Sequence, residues 1–111
     1  MKKRSERVSQ LLRQIISETI MYKWKHPNAH KITVQKVKVA DNIRSAKIYV
    51  GIMGDEKLKT DTLSSLNDTI GFFKNEISHQ TKLQFMPEIK FVYDDTLDQV
   101  ERINDLLKTI K

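Results

Sequence analysis

The sequence predicts an α+β sandwich of two layers, a three-stranded sheet backed by helices, and three patterns carry the prediction. Apolar residues recur at three- and four-residue spacing from Val8 to Ile20 and again from Leu63 to Ile77, the period of helices with one buried face. Between these stretches Ala46, Ile48, Val50 and Ile52 alternate with Lys47, Tyr49 and Gly51, the pattern of a half-buried strand. Near the end, Pro87 opens a further strand in which Ile89, Phe91 and Tyr93 share one face.

In chain order, Val8, Leu11, Leu12, Ile15, Ile16 and Ile20 define the stripe of a first helix expected to end near Trp24, before Pro27. In KITVQKVKVA, Ile32 and Val34 stand on even positions but Val37 and Val39 on odd ones, a change of phase that one extra residue in a bulge explains. A turn at Asp41-Asn42 then joins this strand to the alternating one, giving an antiparallel hairpin. A helical period returns from Thr62 with Leu63, Leu66, Ile70, Phe73 and Ile77. Gly71 interrupts it, because glycine weakens a helix by about 1 kcal/mol relative to alanine, so two helices meeting at a kink are expected. After the strand around Ile89, Thr96 with Gln99 three residues later reads as a capping box. The helix it opens would turn Val100, Ile103, Leu106 or Leu107, and Ile110 inward. The order is thus α-β-β-α-kink-α-β plus a C-terminal helix.

At 111 residues the chain is expected to form a single domain spanning positions 1–111. It has no cysteine, which removes disulfides, thiolate zinc sites and a cysteine nucleophile and suits a reducing compartment. KKRSER after Met1 leaves no apolar core for a signal peptide, and no run approaches membrane-spanning length, so a cytoplasmic protein without a membrane partner is expected. Twenty Lys and Arg against fourteen Asp and Glu give a net charge of +6, which favours polyanionic partners. No nucleophile elbow, phosphate loop or dinucleotide fingerprint occurs, so neither an enzyme nor a cofactor or small-molecule substrate is expected.

Several constellations invite chemistry and read better as structure. Asp94-Asp95 could hold a metal, but oxygen side chains where a helix begins bind free backbone N–H groups, and capping is preferred. His26 and His30 are separated by Pro27, which argues against a two-histidine helical face, and no metal is expected. Trp24 reads as the apolar end of the first helix, anchoring the HPNAH loop.

The segment from Leu83 to Leu107, read with VADNIRSAKIYV at positions 39 to 50, resembles the ribosome-binding factor A family. Arg4, Arg7 and Val8 in the first helix, Val39, Asp41, Ala46, Ile48, Tyr49 and Val50 in the hairpin, and Pro87, Phe91, Asp94 and Thr96 at the end carry the likeness, which covers nearly the whole chain. It implies a type II KH-like fold with an added C-terminal helix. KH domains clamp single-stranded RNA with a GXXG loop between consecutive helices. Here Gly51-Ile52-Met53-Gly54 follows a strand instead, and reads as a strand exit. The equivalent place is Thr69-Ile70-Gly71, where the family has a kinked Ala-x-Gly; Gly71 fits, while Thr69 adds bulk and a hydroxyl. Gln84 stands where the family tends to have arginine.

The resemblance implies a monomer that binds the small (30S) ribosomal subunit and its 16S rRNA and assists late maturation, with the largest growth defect on deletion in the cold. The alternatives are a generic KH-like single-stranded RNA binder and a protein-interaction adaptor of the same fold. Phosphate contacts would come from Lys2, Lys3, Arg4 and Arg7 at the first helix and from Lys74 and Lys82 beyond the kink. Lys36, Lys38, Lys47 and Lys90, beside Tyr49, fall opposite the apolar residues of their strands. An open basic face with an aromatic to stack on a base is one reading; the solvated side of a half-exposed sheet, part of which the last helix would cover, is preferred.

Overall fold

Residues 3–83, 85–96, 99, 103 and 107 are described by the structure, a computed structural model. Helix α1 (Arg4–Tyr22) leads through a 3-10 turn (Ala29–Lys31) to β1 (Ile32–Val39) and β2 (Ser45–Ile52). Helices α2 (Glu56–Asp68) and α3 (Ile70–Gln80) follow, and then β3 (Glu88–Tyr93). The sheet order is β1-β2-β3, with β1 antiparallel and β3 parallel to β2. The register of the hairpin shifts between Val34 and Lys36, so Gln35 is the extra residue that the change of apolar phase requires. Because of it, Val34 and Val39 are both buried although five positions apart.

Helices α1, α2 and α3 cover one face of the sheet. Val8, Leu12, Ile15, Ile16 and Ile20 of α1 and Leu66, Phe73 and Ile77 of the α2–α3 pair meet Ala46, Ile48, Val50, Ile89 and Phe91 from the strands. Leu11 stands at the edge of the α1 stripe and remains 39% exposed. The centre of the core is aromatic: Phe73 packs edge-on against Phe91 with centroids 5.0 Å apart, and tilted against Trp24 at 6.0 Å. Trp24 is buried and stacks flat on His26 at 4.6 Å, closing α1 against the loop as its sequence position suggests. Asn28 ties the same loop to α2 by donating from Nδ2 to the buried Thr62 hydroxyl at 3.1 Å.

Strand β3 is an edge, and α2 covers its exposed backbone. Asn67 Oδ1 accepts from the Phe91 N–H at 2.9 Å and Asn67 Nδ2 donates to the Phe91 carbonyl at 3.1 Å, so one side chain stands in for a missing neighbouring strand.

Four details differ from the sequence reading. Helix α2 begins at Glu56 and not at Thr62, because Asp55 caps it by accepting from the Leu58 N–H at 2.8 Å. The break between the helices is centred on Thr69, and Gly71 lies inside the first turn of α3. The Thr69 hydroxyl donates to the Ser65 carbonyl at 2.8 Å, while the Thr69 N–H bonds to Leu66. Such back-bonding takes the carbonyl the helix would use next and bends the chain. At the end, the cap oxygen comes from Asp94 and not from Thr96: the Asp94 carboxylate accepts from the Thr96 N–H at 3.0 Å and from its hydroxyl. These two bonds, the hydroxyl's first, hold the Asp94 carboxyl below the usual carboxylate range. Thr96, Gln99, Ile103 and Leu107 are helical, but Ile103 and Leu107 are 56% and 62% exposed instead of turned inward. The apolar face of the sheet is already covered by α1, α2 and α3, and the opposite face presents lysines. Val100, Leu106 and Ile110, also expected inward, lie outside the described residues.

Candidate nucleic-acid interface

Of the residues singled out for binding, Lys3, Arg4, Arg7 and Lys82 gather at the N-terminal end of α1 and the kink lies at its C-terminal end, while the Lys74 ammonium reaches Glu88 at the start of β3. At the N-terminal end of α1, Lys3, Arg4 and Arg7 are exposed, and Arg4 lines a cavity of about 120 Å³ with Asn42, Ile43, Arg44, Leu83 and Phe85. Three segments distant in sequence therefore converge: the start of α1, the β1–β2 turn, and the connection from α3 to β3. Lys82, exposed, precedes Leu83 in that connection. Lys2 and Gln84 lie outside the described residues.

The turn contributes Arg44, which sequence reasoning passed over. Its guanidinium stacks 5.6 Å from the centroid of Phe85, itself 60% exposed. The turn that presents it is fixed by the Ile43 N–H bonding to Ala40 at 2.8 Å and the Arg44 N–H bonding to Asn42 Oδ1 at 3.0 Å. Ile43 adopts a left-handed φ of 59°, a conformation that costs a branched side chain about 1–2 kcal/mol. Its packing against the core holds it there. The Asn-x-Arg order after the first strand was the available signal, since an asparagine in a turn bonds the N–H two residues on.

The kink lies at the other end, about 28 Å away along a helix of 19 residues. Thr69 Oγ1 accepts from Trp24 Nε1 at 3.1 Å while donating to Ser65, so the hydroxyl joins the end of α1 to the junction of α2 and α3. The added polar group is thus satisfied within the protein. Ile70 packs against the core, and Gly71 is exposed, with open space where a Cβ would stand. No internal contact demands glycine there, so its surface is open to approach from outside. Lys74, one turn further, is partly buried and paired with Glu88 at 3.2 Å, which offsets its charge. Lys23, at the end of α1, is bound to Glu76 at 2.8 Å.

Gly51-Ile52-Met53-Gly54 forms the exit of β2, as expected of its position, with Gly54 at φ 134° ahead of the Asp55 cap. The described residues contain no group of three or more His, Cys, Asp or Glu side chains able to hold a metal. His26 Nδ1 accepts from the Asn28 N–H at 3.0 Å and serves the loop. Among the described residues no helix is long and apolar enough to cross a membrane.

Comparison with known proteins resolves what the geometry leaves general. The family model for ribosome-binding factor A matches residues 4–107. The chain belongs to the ribosome-binding factor A family. A relative of that name from Geobacter metallireducens is 38% identical over 110 residues, covering 99% of this chain and 93% of its own. The crystal structure of ribosome-binding factor A from Thermus thermophilus superposes with a TM-score of 0.70 at 16% identity, over 80% of this chain and 94% of that one. A model of the Thermus factor fitted into a cryo-EM map of its complex with the 30S subunit gives a TM-score of 0.62 at 17% identity, over 85% of this chain and 96% of that one. At those identities the two structures speak for the fold, a family fold of three-stranded sheet and covering helices that this chain shares.

Proposed function

We propose that this chain acts as a single, monomeric domain that binds the small ribosomal subunit and assists late maturation of its 16S rRNA, without catalysis of its own. The observation that carries the reading is membership of the ribosome-binding factor A family over residues 4–107. A net charge of +6 and the cluster of Arg4, Arg44 and Lys82 around one end of the fold suit a phosphate-rich partner. The Thermus relative has been fitted as a complex with the 30S subunit, and the same class of partner is proposed here.

In this reading Lys2, Lys3, Arg4, Arg7, Arg44 and Lys82 meet RNA phosphates. The kink at Thr69, Ile70 and Gly71 offers a smooth surface where a KH domain has its clamp. The factor shifts the RNA toward the conformer it binds best, holding a folding intermediate or displacing a segment. It works in the cytoplasm, and its loss is felt most in the cold, where mispaired RNA escapes slowly; a deletion strain should accumulate precursor 16S rRNA at low temperature.

The test is co-sedimentation with purified small subunits, mature and precursor, across a salt series, with free ribosomal RNA and large subunits as controls. Selective binding to small subunits that weakens with salt is expected. Equal binding to any RNA would indicate a generic RNA binder, and binding that ignores salt and nuclease a protein adaptor.

A further inference from the structure

We propose that the open face of the sheet is a second RNA contact, a seat for a phosphodiester backbone built on Lys38, Lys47 and Lys90. The proposal rests on the reading of this chain as a binder of small-subunit RNA and adds a surface on the side away from α1, α2 and α3. Alternation along each strand shows only that these side chains face outward. The register shows more: Lys38 pairs with Lys47 across the hairpin, and Lys47 pairs with Lys90 across the parallel pair. Three ammonium groups thus start from one row perpendicular to the strands, spanning about 10 Å at the usual strand spacing.

Such a row works against folding, since like charges directly opposite one another repel, and a sheet built only for stability would oppose lysine with an acid. All three are exposed, and among the described residues no carboxylate forms an ion pair with any of them. Two described carboxylates stand near the row, and Asp94 faces Lys36 of the next row. Glu88, two residues before Lys90, is drawn to Lys74 of α3, and Asp94 is bound to Thr96. Among the described residues the row is therefore a strip of positive charge with no ion-paired carboxylate.

The next row identifies the occupant. Lys36 pairs with Tyr49 and Tyr49 with Val92, and the Lys36 ammonium lies 4.8 Å from the Tyr49 ring centroid. The cation occupies a face of the ring that a base would need for stacking, so the surface gains a fourth cation without an open aromatic platform. Cations without base readers fit phosphates of any sequence. An acidic protein partner fits less well, because protein interfaces are depleted in lysine and centre on apolar or aromatic anchors. Seated on both faces, the domain would hold two RNA segments at once.

The experiment is a titration of small subunits and of protein-free 16S rRNA, over a potassium chloride series, with three proteins: wild type, K38Q/K47Q/K90Q, and R4Q/R7Q/K82Q. The sheet variant should bind both targets at least tenfold more weakly at low salt. Its slope of log K against log salt should be shallower by about 2, the loss of roughly three phosphate contacts. Its melting temperature should be unchanged or higher, because repulsion has been removed. Unchanged affinity and slope in the sheet variant, with weakened binding in R4Q/R7Q/K82Q, would overturn the proposal while leaving the small-subunit reading intact. Weakening on intact subunits alone, with free rRNA unaffected, would mean that the face meets a ribosomal protein and would also overturn it. Failure of the wild-type protein to bind either target would remove both.

Discussion

Replacing Thr69 with valine tests whether the hydroxyl at the kink is structural. The substitution keeps the branched shape and removes only the oxygen, which accepts from Trp24 Nε1 at 3.1 Å and donates to the Ser65 carbonyl at 2.8 Å. Ser65 is partly exposed and its carbonyl can turn to water, but Trp24 is only 8% exposed and its ring is held between His26 and Phe73. The indole N–H left without a partner dominates the loss, about 1–3 kcal/mol. For a domain of this size that lowers the melting temperature by roughly 4 °C per kcal/mol. Thr69→Ser, which keeps the oxygen, should cost less than about 1 kcal/mol. Urea denaturation of T69V, W24F and the double variant separates the shared bond from lost packing, and a coupling of about 1 kcal/mol is expected. A T69V midpoint equal to that of the wild type, or a cycle without coupling, would refute the assignment of the hydroxyl as a tie between α1 and the kink.

Asn67→Ala should destabilise by about 1–3 kcal/mol, since it strips both bonds from the Phe91 backbone on the sheet edge; urea melts measure it, and hydrogen exchange at the Phe91 amide should accelerate. The Glu76 carboxyl is held below its usual range by the hydrogen bond from the Lys23 ammonium. Its contribution is full above the ordinary glutamate value and is lost as pH falls through the lower folded value, so wild-type and E76Q melting temperatures should converge in acid. Lys74→Gln should change the salt slope of subunit binding less than Lys82→Gln does, because Lys74 is already paired with Glu88 whereas Lys82 stands exposed.

The residues that were legible in the sequence are those whose meaning is local. The shift of apolar phase between Val34 and Val37 announced the bulge at Gln35, and the alternation of Ile89 and Phe91 gave the buried side of β3. Helix α2 began six residues early because KLKTDT has too little apolar period to show a buried stripe, although Asp55 carried the capping signal. The kink was assigned to the weakest helix former, Gly71, when the deciding event is a side-chain hydroxyl competing for the Ser65 carbonyl at Thr69. The candidate cations fall into groups along the sequence, but which of them meet in space, and which are already paired, is not local. That Arg4 and Arg44 line one cavity, that Lys74 is neutralised by Glu88, and that three lysines share a row all depend on tertiary register.

The positions that break local rules also fall where we propose that the protein meets its partner. Ile43 takes a left-handed backbone that a branched residue disfavours, in the turn that presents Arg44 at the basic end. Lys38, Lys47 and Lys90 oppose like with like across a sheet whose inner face is otherwise well ordered in size and polarity. Thr69, by contrast, departs from the alanine usual at the kink and is repaid internally by Trp24 and Ser65, so it belongs to stability. The distinction is whether the irregularity is satisfied from within the chain. Where it is, substitution should be read in melts; where the described residues leave it unsatisfied, as in the lysine row, the proposed compensation comes from outside, and substitution should be read in binding and its dependence on salt.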